Sequence, residues 1–369
     1  MQGVKNMIEK KIFKYKYAFD IAVAAAVMLL LTGCGNKDNE KNQDIRMENQ
    51  EEKIENVNST ETSIVTVYDE LSGDTFKDEQ TEIDDRKDEQ LESFTADKDG
   101  GDPQIVENDW SDYFQGCEGT AVLYYPSKEQ IFVYQKELAE KQSSPCSTFK
   151  IISSLIALEN GILDPENATR KWSGEQFWNQ DWNQDIDFYE AFRTSCVWYF
   201  RELVNEIGQE QMQKALAALS YGNCDITDWE GRLNTNNNNR ALTGFWIESS
   251  LKISPREQVQ VMEYIFGDNS PYSPYTLKTL KKAMLTTGFQ EGEITIYGKT
   301  GMGKVQGIVV DAWYTGFAEY GNETIYFCVH LSESGKAKNA ESEHEISSAF
   351  AKEIAIAILQ RSEKSLAEL

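Results

Sequence analysis

Ser147-Thr148-Phe149-Lys150, then Ser195-Cys196-Val197, then Lys299-Thr300-Gly301: these three short stretches, in this order, decide how the chain is read. The first opens a run, 147–158, whose apolar residues recur at helical spacing, with Gly161 just past its end. Residues i and i+3 share a helix face, so the Ser147 hydroxyl and the Lys150 amine can meet. A helix start adds unpaired backbone N–H groups and a positive dipole end, both suited to an oxyanion. Serine is a weak nucleophile at neutral pH; an adjacent base activates it, and a desolvated lysine can be that base. Taken alone, Ser147 could equally be an N-cap. The order of the three stretches, in helix, helix and strand settings, is what gives the catalytic reading its specificity. On a strand, Lys299 offers a cation for a carboxylate, Thr300 a hydroxyl, and Gly301 room for close approach.

Working outward, 119–125 and 131–134 are β-rich runs around the turn 126–129 and predict a hairpin. Helices are expected over 189–207, 210–219, 254–266 and 275–286, with a polar, asparagine-rich loop at 234–240. Three strands follow at 295–301, 309–317 and 324–331, the last two joined by a turn at 319–322, and a helix at 346–359 closes the chain. Strands at both ends with helices between predict a mixed α/β domain. Its antiparallel sheet is assembled from the two termini, flanked by helices and joined to a helical subdomain.

The 369 residues give room for one large domain or two ordinary ones, and 40% apolar residues supply a core. A net charge of −25 argues against nucleic acid as a partner. His330 and His344 are the only histidines, and neither stands at metal-ligand spacing, so no metal and no histidine-based triad is expected. Lysines 5, 10, 11, 14 and 16 precede the uncharged run 21–31 and then Leu31-Thr32-Gly33-Cys34. A basic start, a short apolar stretch and a small-residue cleavage site predict an export signal over 1–33. A cysteine there resembles the bacterial lipobox, which implies a lipid on Cys34 and a place on the outer face of the cell membrane. The alternative, an uncleaved membrane anchor, has a run short for a hydrocarbon core of ~30 Å. Residues 34–109 then read as an acidic tether: from Gly35 on they hold 24 acidic and 8 basic side chains, too polar to offset the entropy of ordering. Within it 63–67 has the look of a short strand. The catalytic domain is placed at 110–369. Five cysteines besides Cys34 cannot all pair, and free thiols are expected.

From about residue 115 to 359 the chain resembles the class D β-lactamases. The residues that carry the resemblance are Ser147-Thr148-Phe149-Lys150, the Ser-x-Val form Ser195-Cys196-Val197, Tyr221-Gly222-Asn223, Phe245-Trp246 and Lys299-Thr300-Gly301. The resemblance implies hydrolysis of β-lactams through an acyl-enzyme on Ser147. Lys150 would be N-carboxylated by carbon dioxide or bicarbonate, with no other cofactor, and act as general base. Trp246 would donate its indole N–H to the carbamate. Ser195 would relay a proton to the lactam nitrogen. Lys299 and Thr300 would bind the substrate carboxylate, and the N–H groups of Ser147 and Met302 would form the oxyanion hole. Val197, Tyr221 and Gly301 would line the substrate site. Carbamate chemistry needs a neutral amine, and Phe149, Val197 and Trp246 offer an apolar surround.

Tyr-Gly-Asn recurs at 320–322, where its setting is a hairpin turn, so the triplet carries weight only at 221–223. Two departures from the family stand out. The stretch between Asn223 and Phe245 is long, and no arginine lies between Leu331 and Gln360 to hold a substrate carboxylate, leaving Lys336 or Lys338 as substitutes. Rival readings are a β-lactam sensor, suggested by 172–185 with its Trp-Asn-Gln repeats, a peptidoglycan transpeptidase or carboxypeptidase, and a non-catalytic binding lipoprotein. Val197 stands where sensors and transpeptidases commonly carry asparagine. The intact Ser147, Lys150, Ser195 and Lys299 weigh against loss of catalysis. The sensors carry several membrane helices where this chain is expected to carry only an export signal. No obligate protein partner is implied.

Overall fold

The computed structural model describes residues 102–233, 238–286, 294–333 and 345–367. The export signal, Cys34, the tether through residue 101, Lys336, Lys338 and His344 lie outside the described residues, as does part of the asparagine-rich loop.

The first hairpin forms as the residue types dictate. All seven residues of β2, Gly119–Tyr125, are buried, as a central strand requires, while β3, Gln130–Tyr134, alternates buried and half-buried positions. Between them Pro126–Lys128 makes one 3-10 turn, closed by Glu129 in left-handed backbone. With an edge strand β1 (Gln104–Glu107), the C-terminal strands β4 (Ile294–Val305), β5 (Ile308–Tyr320) and β6 (Glu323–Ser332) complete a six-stranded sheet of order β1-β3-β2-β6-β5-β4. The first and last parts of the chain therefore meet at the β2–β6 pairing, as expected. The β5–β6 turn is Gly321-Asn322, with Gly321 at φ 57° supplying the left-handed backbone a tight hairpin needs.

One boundary is corrected. Gln104–Glu107, assigned by composition to the tether, forms β1 and pairs with β3, so the folded domain begins before Trp110. That pairing is parallel, which makes the sheet antiparallel everywhere except at this edge. Its residues Gln-Ile-Val-Glu have strand character that the acidic composition around them masks.

Helices cover both faces. The closing helix, Ser348–Ala367, lays Phe350, Ala351, Ile354, Ala355, Ile358 and Leu359 on one face, together with Trp110 and Phe114. The other face carries the helical subdomain: α-helices at Lys150–Glu159, Val197–Ile207, Gln209–Ala218, Pro255–Phe266 and Pro274–Met284 share one core with Trp313, Phe317, Tyr326 and Cys328 of the sheet. The Pro255 helix starts where its sequence says it should: Ser254 and Glu257 form a reciprocal capping box with proline at the first position.

A second correction bears on function. The single helix expected over 189–207 is two, Phe188–Arg193 and Val197–Ile207, broken at Ser195, whose φ is 60°. The apolar pattern runs through the break, which is why periodicity does not reveal it.

Candidate active site

The turn that carries Ser147 is set by its neighbours. Pro145 precedes Cys146, which holds left-handed backbone at φ 51°, and Cys146–Phe149 form a 3-10 turn leading into the Lys150 helix. Thr148 ties the turn shut by donating its N–H and its hydroxyl to the Pro145 carbonyl, at 3.1 and 2.7 Å. Lys150 then reaches back and donates to the Ser147 Oγ at 2.8 Å. Its side chain is buried, with Nζ 5.3 Å from the centre of the Phe200 ring. Burial lowers the amine from its ordinary 10.5 to about 8; the nearby Cys146 and Cys196 act in the opposite direction. An amine whose proton is loosened in this way, in contact with a serine hydroxyl, is the arrangement that activates a nucleophile.

Ser195 stands at the helix break. Left-handed backbone at a serine costs ~1–2 kcal/mol and persists only where the surroundings impose it. Here they do. Thr194 donates its hydroxyl to the Glu190 carbonyl at 2.8 Å, and its own carbonyl accepts the Trp182 indole N–H at 3.1 Å. The Trp182 carbonyl in turn accepts the Trp198 indole N–H at 3.0 Å. The tryptophan-rich stretch 172–185 thus packs behind the break, a role its composition alone does not reveal.

Lys299 projects from β4 and donates to the Ser195 Oγ at 3.1 Å and to the Thr300 carbonyl at 3.1 Å, with the Thr300 hydroxyl at 3.4 Å. It is buried, and burial holds its amine well below the ordinary lysine range; the charges of Lys150 and Lys352 push the same way. Lys299 is therefore tied to Ser195 in this state more than it is offered to solvent. β4 lies close against the Ser147 turn. A β-carbon at Gly301 would stand 2.9 Å from the Pro145 carbonyl oxygen and 3.0 Å from Thr148 Cγ2. The glycine expected to admit substrate makes room instead for the turn that bears the nucleophile.

The expected site residues sort into two layers. Ser147, Ser195, Val197, Thr300 and Met302 are half-buried or exposed and face outward; Lys150, Lys299, Gly301, Tyr221 and Trp246 are buried behind them. Tyr221 is therefore not a substrate contact. Its ring lies edge-on against Phe149 at 5.7 Å, beneath the nucleophile turn. Trp246 stacks on Phe149 at 5.7 Å, and its carbonyl accepts the Cys146 N–H at 2.9 Å. The first Tyr-Gly-Asn is structural as well: at Gly222, φ 54°, a β-carbon would meet the Lys252 carbonyl oxygen at 1.9 Å. In the long stretch before Phe245, Trp229 stacks on Phe245 at 5.1 Å, and Arg201 pairs with Glu230. Sequence reasoning missed Phe200, Trp182 and Cys146, which act through packing on Lys150, a hydrogen bond to the break and left-handed backbone, none of which a motif encodes. The five cysteines among the described residues are free thiols, as expected.

With this geometry in place, the chain can be compared with known proteins. Residues 105–355 match the family described as the penicillin binding protein transpeptidase domain. The chain is 33% identical over 231 residues, 62% of its own length and 80% of the relative's, to the probable beta-lactamase YbxI of Bacillus subtilis. Among solved structures it resembles the C-terminal domain of the Bacillus licheniformis BlaR penicillin-receptor (TM-score 0.59, 27% identity, 71% of this chain and 98% of that one). It also resembles a class D beta-lactamase from Bacillus subtilis (TM-score 0.58, 29% identity, 69% and 95%). The chain spans 38% of the length of the curated regulatory proteins it matches.

Proposed function

Because this chain belongs to the family of penicillin-binding protein transpeptidase domains, and within it is class D β-lactamase-like, we propose that it hydrolyses β-lactams through an acyl-enzyme on Ser147. The observation that carries the proposal is the buried Lys150 amine, lowered to about 8 and 2.8 Å from the Ser147 hydroxyl.

In this reading Lys150 takes the Ser147 proton as the hydroxyl oxygen attacks the lactam carbonyl. The N–H groups of Ser147 and Met302 receive the oxyanion. As the ring C–N bond breaks, Ser195 passes a proton to the departing nitrogen and is resupplied from Lys299, to which it is bonded. The substrate carboxylate lies on Thr300, the accessible member of the strand motif, with Lys299 behind it. Once Lys150 has given the Ser147 proton up to solvent and Lys299 has regained one, a water attacks the ester with Lys150 again the base, and the ester C–O bond breaks as Lys150 returns a proton to the Ser147 oxygen. Lys150 fits the carboxylated lysine that class D resemblance implies, because its amine is buried and neutral in a large fraction of molecules near pH 8. Carbon dioxide, when bound there, supplies an anionic oxygen base. Its negative charge would also turn the repulsion that Lys150 exerts on Lys299 into attraction. Trp246 would donate to that carbamate, and the lipid on Cys34 would hold the domain at the outer face of the membrane.

A second reading, a β-lactam sensor that acylates and stays acylated, is favoured by the likeness to the BlaR penicillin-receptor domain. Nitrocefin separates the two. Many equivalents hydrolysed per chain are expected. One equivalent of colour followed by no further change would replace the enzyme with a sensor or a transpeptidase.

A further inference from the structure

Both expected oxyanion donors are flanked by one segment, 246–253, which runs beside residues 143–146. The Cys146 N–H donates to the Trp246 carbonyl at 2.9 Å and the Ser249 N–H to the Ser144 hydroxyl at 3.3 Å. Ser143 and Ile253 exchange backbone bonds at 3.0 and 2.9 Å. Inside this segment Glu248 holds left-handed backbone at φ 51°, a conformation a non-glycine residue adopts only at a cost. From there it reaches both sides of the site. Its carboxylate accepts the N–H of Lys304, and its own backbone N–H favours the charged form of the Cys146 thiol beside it. The two sides converge at Gly303, where a β-carbon would lie 3.0 Å from the Cys146 sulfur and 3.5 Å from Glu248 Cγ. Cys146 immediately precedes Ser147, and Gly303-Lys304 immediately follow Met302. The β4–β5 ladder shifts register between Gly303 and Lys304, so Glu248 grips β4 where its partner strand constrains it least.

We infer that Glu248 is a positioning residue that sets the separation of the Ser147 and Met302 amides by joining Cys146 to Lys304. The inference rests on the acylation reading above and extends it. A charged acceptor on a backbone N–H is a strong, directional tie. Oxyanion donors act only when correctly placed: loss of one costs ~100-fold or more in rate, and a displacement of about 1 Å can cost a similar factor.

The test compares wild type with E248A, E248D and E248Q as full chains. Stopped-flow acylation by nitrocefin yields the acylation rate constant and the affinity before acylation separately, and inhibition by an arylboronic acid reports the oxyanion hole. Thermal melts record folding. E248A is expected to acylate ~30–100-fold more slowly with its pre-acylation affinity within about threefold, and its boronate affinity should fall by a similar factor. Glutamine keeps the acceptor at the same reach and should rescue acylation to within about threefold; aspartate keeps the charge but not the reach and should not. Should E248A fail to fold, the contrast between E248D and E248Q decides. A folded E248A or E248D that acylates at the wild-type rate, or an E248Q as slow as E248D, overturns the inference. Failure of wild type to form any adduct on Ser147 overturns the acylation reading instead, so the two failures are distinct.

Discussion

At the scale of single residues, Lys150 shows how the site trades stability for chemistry. A lysine taken from water into an apolar surround prefers its neutral form, and its amine falls from 10.5 to about 8. The sign follows by linkage. Between pH 8 and 10.5 the unfolded chain holds the proton and the folded chain does not, so stability rises with pH across that window, and the cost of burying Lys150 is felt in full below pH 8. Lys150→Met removes the charge while keeping the stem. In bicarbonate-free buffer it should abolish acylation yet raise the melting temperature at pH 7 by a few degrees, a gain that shrinks as pH approaches 10. The ceiling, on the order of 3 kcal/mol, follows from the size of the shift. Melting curves of the two proteins across pH test this; a variant less stable than wild type at pH 7 would mean that the amine's contacts outweigh its desolvation. Wild-type acylation without bicarbonate should itself climb with pH through about 8.

At the scale of elements, the site depends on two close approaches. The Ser195 break is held by hydrogen bonds from Trp182 and Thr194, and β4 is admitted to the Ser147 turn by Gly301. Gly301→Ala puts a methyl group 2.9 Å from the Pro145 carbonyl oxygen, part of a backbone turn that cannot swing aside. Overpacking of this kind costs ~1–3 kcal/mol. Acylation should fall by about 100-fold as the strand and the nucleophile turn move apart. Both are measured on one purified variant, by thermal melt and by nitrocefin acylation. Unchanged acylation would show that β4 can shift without loss of the site. Most elements were legible in the sequence because their signals are local: Ser254 and Glu257 announce a helix start, and Gly321-Asn322 a hairpin. The break at Ser195 was not, because the apolar pattern of 189–207 continues through it and only tertiary bonds impose the left-handed turn. β1 was hidden because four residues of strand character lie in an acidic surround.

At the scale of the molecule, the chemical groups of the site could be read from spacing, while their support could not. Ser147, Lys150, Ser195 and Lys299 come from a turn with the helix it leads into, a break between two helices and a strand, all far apart in sequence, with contacts of 2.8 Å between Lys150 and Ser147 and 3.1 Å between Lys299 and Ser195. Tyr221, expected at the substrate, lies instead beneath the nucleophile turn, since a motif records which residue is present but not the direction it faces. The expected export signal and tether belong to this scale too. Cys34→Ala should move the protein from the membrane fraction to the soluble one after fractionation of cells, and a variant that stays membrane-bound with residues 1–33 attached would contradict a lipid anchor.

Acylation of Ser147, made reactive by the buried Lys150, is the proposal on which the other roles rest. The most direct measurement is mass spectrometry of the chain mixed briefly with benzylpenicillin, followed by peptide mapping, for wild type and Lys150→Met side by side. One penicilloyl group per chain on the peptide containing Ser147, with Lys150→Met unlabelled over the same interval, is the predicted result. A label on any other residue, or labelling of Lys150→Met at the wild-type rate, would contradict it.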